Sequence, residues 1–103
     1  MQVKVRLSNP EQPGLGVEQV EAMIDTGAPR STIPPALVEK LALPSLADGK
    51  TYATLEYAKS KAACEFAVSE RPKHVVISLA TLTALGWEFD LFTGVLKPVA
   101  PTA

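Results

Sequence analysis

From Gln2 to Leu7 the chain alternates strictly, with Val3, Val5 and Leu7 on one face and Gln2, Lys4 and Arg6 on the other. A period of two over six residues predicts a half-buried β-strand. Ser8 to Gly16 holds Asn9-Pro10, Pro13-Gly14 and Gly16, which is turn chemistry. Strand character resumes from Val17 to Ile24, where Val20, Ala22 and Ile24 share a face. The final Ala22-Met23-Ile24 is apolar on both sides, so this strand is expected to end deep in the core. Ser31 to Ile33 is short and β-branched.

Pro34-Pro35 then opens a helical pattern, with Pro35 suited to the first helical position. Leu37, Val38 and Leu41 form its apolar stripe, and the helix should stop before Pro44. Asp48-Gly49 signals a hairpin turn. Thr51–Tyr57 and Ala62–Val68 read as two strands joined through Lys59-Ser60-Lys61, and Glu70-Arg71-Pro72 breaks the second. Val75-Val76-Ile77 is continuously apolar and β-branched, as in a buried strand. Ser78 is placed to cap a helix lined by Leu79, Leu82 and Leu85, and Gly86 to end it. Trp87–Asp90 and Val95–Val99 complete the set, joined by Leu91-Phe92-Thr93-Gly94. Pro98 suggests an edge strand and Pro101 a loose tail over 100–103. The pattern predicts one all-β domain over 1–99, with one or two short helices.

Composition narrows the function classes. At 103 residues the chain supports a single small core. The net charge is −1 and the basic residues are scattered, so neither nucleic acid nor a membrane surface is an expected partner. One cysteine, Cys64, excludes an internal disulfide, and one cysteine with one histidine, His74, leaves no set of zinc ligands. No metal and no cofactor is expected. With no leader-like segment and no run apolar enough to span a bilayer, the expected location is the cytoplasm.

One acid stands apart. Of the three aspartates, Asp48 and Asp90 lie in turn sequences, whereas Asp25 directly follows the apolar run Ala22-Met23-Ile24. Thr26, Gly27 and Ala28 follow it, so a carboxylate sits on a tight turn at a strand end. An unpaired buried charge is costly. Two carboxylates brought together cannot both ionise, so they share one proton and titrate as a pair. The charged member then takes a proton from water while the protonated one hydrogen-bonds a carbonyl oxygen. The chain has one such acid, and a two-fold dimer axis beside Asp25 would supply the second.

Asp25-Thr26-Gly27-Ala28 after an apolar strand resembles the active-site turn of the retropepsin-like aspartic proteases. Ser31-Thr32-Ile33-Pro34, with a short helix ending in Leu41-Ala42-Leu43-Pro44, resembles the segment that follows in small bacterial members. The C-terminal half is similar too: Val75-Val76-Ile77, a leucine-rich helix, Leu85-Gly86, and Asp90 with Thr93-Gly94 before a last strand. The resemblance implies a closed β-rich half-barrel that forms a two-fold homodimer and acts on peptide or protein substrates. It implies that Asp25 is the catalytic acid and that Thr26 hydrogen-bonds across the axis. Gly27 would admit the substrate backbone, and Ala28 would leave room beside the carboxylate. Ser31 or Thr32 would support the loop or line a pocket. Ile77 and Ser78 fall in the family's second motif, two apolar residues followed by glycine, and are implied to meet substrate. Serine replaces that glycine here. The flap hairpin would lie near Asp48-Gly49 or near Lys59-Ser60-Lys61.

Other readings of the same residues differ in what they require. A subtilisin-type protease also carries Asp-Thr-Gly, but needs a nucleophilic serine and a histidine in a far longer chain. Asp25 in a structural Asx turn of an unrelated β domain would accept backbone N–H bonds, and a monomer with Asp25 far from any second carboxylate would support that reading. A non-catalytic dimer module of the same fold would bind peptide or serve assembly without turnover. Cys64 reads as a small buried hydrophobe, His74 as a strand-edge residue, and Asp90 as a turn acid. Trp87 reads as a core or dimer contact, and Lys59, Lys61 and Lys73 as a solvated face.

Overall fold

The computed structural model describes residues 1–71, 73–90 and 92–98. The tail expected over 100–103 lies outside the described residues. Strands β1 (Gln2–Asn9), β2 (Gln12–Ile24), β3 (Thr32–Ile33), β4 (Lys50–Tyr57), β5 (Ser60–Val68) and β6 (Val75–Ile77) close a barrel in the order β1-β2-β6-β3-β5-β4. Two short helices, α1 (Pro35–Lys40) and α2 (Leu79–Ala84), flank it, and β7 (Trp87–Asp90) with β8 (Val95–Pro98) forms a separate antiparallel pair. No helix among the described residues is long and apolar enough to cross a membrane.

The first hairpin is longer than its pattern suggested. β1 runs on through Ser8 and Asn9, and β2 begins at Gln12, so only Pro10 and Glu11 form the turn. Register shifts between Val5 and Leu7 and between Ser8 and Asn9 bring Leu7, Ser8 and Asn9 all to the inside. The buried Asn9 donates through Nδ2 to the carbonyls of Leu41 at 2.9 Å and Ala42 at 3.0 Å, and accepts the Glu11 N–H at 2.9 Å. Gly16 lies inside β2, paired with Ser8, rather than in a turn, and a Cβ there would lie 2.5 Å from the Arg6 guanidinium. Such bulges re-aim side chains without ending the strand.

β4 and β5 pair from Lys50↔Ala67 to Tyr57↔Ser60, which leaves a two-residue turn of Ala58 and Lys59. Ser60 and Lys61 therefore belong to β5, not to the turn. Ala58 takes φ 53°, the left-handed region that disfavours any residue with a Cβ. Ala58→Gly is expected to stabilise the domain by about 0.5–1 kcal/mol, the relief of strain less the extra freedom of the unfolded chain. A urea midpoint that falls instead would show that the turn does not carry this strain.

The core is one cluster led by Leu7, Ile33, Leu41, Leu55, Phe66, Ile77 and Leu82, each no more than 1 % exposed. α1 starts as its prolines dictate, and Leu41 just beyond it plugs the barrel. α2 seals the side through Leu82 and Leu85, whereas Leu79, expected in its stripe, is 44 % exposed. Cys64 is buried, and burial pushes its thiol pKa up, away from nucleophilic use. Trp87 packs edge-on against Tyr57 at 5.2 Å and donates its indole N–H to Ser60 Oγ at 2.9 Å, so it anchors β7 to the β4–β5 hairpin.

Asp90 acts as the turn acid that its sequence suggested. Its Oδ1 accepts the N–H groups of Phe92 at 2.9 Å and Thr93 at 3.2 Å. These bonds, with Lys97 nearby, hold its carboxyl below the usual range. A lowered folded pKa contributes stability above the unfolded value of about 3.9, and that contribution disappears as the pH falls through the folded value. Trp87 fluorescence is expected to report loosening of the β7–β8 pair in acid, and Asp90→Ala should lose that acid sensitivity. A titration identical in both proteins would remove Asp90 as its cause.

Candidate active site

The site is built where β6, late in the chain, inserts between β2 and β3. β2 and β6 run parallel, with Ala22↔Val75, Met23↔Val76 and Ile24↔Ile77 in register, and Thr32 of β3 lies opposite Val76 from the other side. Just past β2, the Asp25 N–H donates to the Ile77 carbonyl at 3.1 Å, extending the ladder by one bond. The chain then turns. The Ala28 N–H bonds to the Asp25 carbonyl at 3.1 Å, and the Gly27 N–H bonds to Asp25 Oδ1 at 2.9 Å. This is an Asx turn, in which the carboxylate itself braces the loop.

The strand alternation decides what faces where. Ala22, Ile24, Ile33, Val75 and Ile77 turn into the core. Met23, Val76 and Thr32 are in register across three strands and share the opposite face. They floor an open groove of about 460 Å3, whose walls are Asp25, Gly27, Ala28, Pro29, Arg30 and His74. Thr32 Oγ1 is buried with no hydrogen-bond partner among the described residues.

Asp25 itself is exposed, although the apolar run before it had suggested burial. Ile24 goes inward at 6 % exposure and the next residue emerges at the rim of the groove. Gly27 does not take a left-handed φ. A Cβ there would meet only Asp25 Oδ1, at 3.4 Å, an ordinary contact, so within one chain neither the backbone angle nor the space demands glycine. Thr26 is exposed and Ala28 half-buried.

Ser31 supports the loop. Its Oγ accepts the Ser78 N–H at 2.9 Å, donates to Ser78 Oγ at 3.2 Å, and lies 2.6 Å from Thr81 Oγ1. Ser78 is the N-cap of α2 and accepts the Thr81 N–H at 3.4 Å. Serine at 78 is thus one corner of a buried hydroxyl triangle that joins the Asp25 loop to α2. It is 3 % exposed and Ile77 1 %, and neither lines the groove, in contrast to the expected substrate contacts. The residues that the motif reading missed are Met23, His74 and Val76, whereas Thr32 lines the groove, one of the two roles it was offered for. Strand alternation held the signal for Met23 and Val76, because each lies one position from a core residue.

Neither candidate flap lines this groove among the described residues. Asp48 and Gly49 both take left-handed φ and make a tight turn, bridging only Leu46 and Lys50. Ala58, in the β4–β5 turn, instead borders a polar depression with Lys4, Arg6 and Glu18. No cluster of metal-ligating side chains occurs among the described residues.

No family model and no curated protein matches the sequence. The structure does have a clear neighbour. It superposes on the retroviral protease-like domain of Ddi1 from Leishmania major with a TM-score of 0.66, covering 95 % of this chain and 85 % of that one at 18 % sequence identity. The fold is retropepsin-like. At this identity the likeness carries the architecture: the closed barrel, the short helices, and the parallel strand pair beside the Asp25 turn.

Proposed function

We propose that the chain is one half of an aspartic endopeptidase, with Asp25 and its counterpart from a second copy forming the dyad at a homodimer axis. The observation that carries this is an exposed carboxylate, braced on a hydrogen-bonded turn, at the rim of an apolar groove in a retropepsin-like fold. One Asp25 takes a proton from water, and the other donates a hydrogen bond to the peptide carbonyl. Thr26 ties the two turns across the axis, and Gly27 and Ala28 keep the space beside the dyad open. Substrate side chains rest on Met23, Thr32 and Val76. The motifs from Ser31 to Pro44 and from Val75 to Gly94 support the small bacterial type, and residues 1–99 form the catalytic unit.

The test is cleavage of apolar peptides from acid to near-neutral pH by the wild-type chain, compared with Asp25→Asn. Turnover that survives this replacement eliminates the mechanism. A non-catalytic peptide-binding dimer is the second reading, favoured by a groove with no overhanging segment among the described residues. It predicts peptide binding with no turnover at any pH.

A further inference from the structure

The groove beside Asp25 carries a cation that the proposed hydrolysis does not use. Arg30 is exposed on its wall, and none of the ion pairs or side-chain hydrogen bonds among the described residues involves it. Glu65, an acid that lines a neighbouring cavity with Arg30, is engaged instead with Lys50 at 3.4 Å and with the Tyr52 hydroxyl at 3.3 Å. His74 stands on the wall of the same groove, and an imidazole presents at least one N–H donor in any protonation state. Met23, Ala28 and Val76 give the groove an apolar lining.

From this arrangement we infer that the groove selects peptides in which an acidic side chain flanks an apolar residue. Arg30 is the specificity-determining group and His74 is a second donor. This rests on the reading that the groove takes a peptide. A guanidinium offers a planar fork that matches a carboxylate with two parallel hydrogen bonds. In the free chain Arg30 is hydrated. A peptide laid over the apolar floor excludes that water and strengthens the pair. The apolar neighbour supplies the burial and the acid supplies the discrimination. The chain as a whole is slightly acidic, with a net charge of −1, so the preference originates locally at Arg30 and not in general attraction. In a two-fold assembly each half brings its own Arg30, and the preference extends to both sides of the central bond.

The experiment uses apolar peptides with a central Leu-Leu pair, in which one glutamate is walked through the flanking positions, each with a glutamine twin. At the best position the wild-type kcat/KM is expected to favour glutamate by about ten-fold, the scale of one charge-assisted hydrogen bond. Arg30→Gln should bring that ratio to within about two-fold, and Arg30→Glu should invert it in favour of a lysine twin. A ratio near one at every position, or one that Arg30→Gln leaves intact, overturns the inference. The same peptides are also titrated against Asp25→Asn by fluorescence anisotropy. Arg30-dependent binding without wild-type cleavage keeps the selectivity and removes the endopeptidase. Cleavage with no glutamate preference does the reverse. Neither binding nor cleavage overturns both.

Discussion

Asp25→Asn is expected to abolish the proposed peptide cleavage and to leave the barrel folded. Asparagine keeps the size of aspartate and still offers Oδ1 to the Gly27 N–H, while the bonds of Asp25 N–H to Ile77 and of Ala28 to the Asp25 carbonyl are backbone bonds. At an exposed position of this kind the stability change should stay within about 0.5 kcal/mol. The chemical loss is of another order. An amide neither accepts the proton of the attacking water nor shares a proton with a second carboxylate. A general base of this type contributes about 10²–10⁴-fold by itself, so the rate should fall at least to the lower end of that range and in practice to background. Mixing tests whether the site is shared. With equal amounts of wild-type and Asp25→Asn chains, random pairing leaves about half of the wild-type chains in intact pairs. The rate should then be about half that of the wild-type chains alone. An undiminished rate would mean that each chain acts by itself, contrary to a two-fold dyad.

The largest expected effect on stability lies one step behind the site. Ser31→Ala removes the acceptor of the buried Ser78 N–H and a close partner of the Thr81 hydroxyl. Each buried group left without a partner costs roughly 1–3 kcal/mol. A loss of about 2–3 kcal/mol is expected, set against a total stability of about 5–15 kcal/mol for a domain of this kind. The thermal midpoint should drop by roughly 10–20 °C. Ser78→Gly provides the contrast. It restores the residue that the retropepsin pattern carries there, keeps the backbone N–H, and leaves the contact between Ser31 and Thr81 in place. Glycine is tolerated at N-caps at a cost of a few tenths of a kcal/mol, so Ser78→Gly should be the milder change. If the two replacements cost the same, the N-cap and not the triangle holds the loop. Serine at 78 is therefore explained as packing and capping, and it presents no obstacle at the groove, from which its side chain is buried away.

Much of this was legible along the chain. Strict alternation marked β1, and the apolar run Val75-Val76-Ile77 marked a buried strand. Pro35 and Ser78 announced the two helices at their true starts. Each of these signals is local: a period, a fixed φ, or a hydroxyl within reach of its own next turn. The exceptions also have causes. β2 swallowed Pro13, Gly14 and Gly16 because bulges let a strand continue through turn residues once a partner strand holds it. Leu79 is exposed because it lies to one side of the face of α2 that Ser78, Thr81, Leu82 and Leu85 bury.

At the site, the sequence by itself determined the candidate reacting group and its turn: an acid after an apolar strand, then a hydroxyl residue, a glycine and an alanine. Those residues are adjacent, and short-range hydrogen bonds are enough to form the Asx turn. What lies around the carboxylate was decided only by the tertiary structure. β6 joins β2 more than fifty residues after it, and that insertion alone brings His74 and Val76 beside Asp25 and aligns Met23, Val76 and Thr32 on one face. The same pairing turned Ile77 inward, Ser78 is buried beside it, and neither candidate flap lines the groove among the described residues. Motif spacing specifies neighbours along the chain. Register between strands specifies neighbours in space, and a shift of one residue exchanges the core face for the groove face.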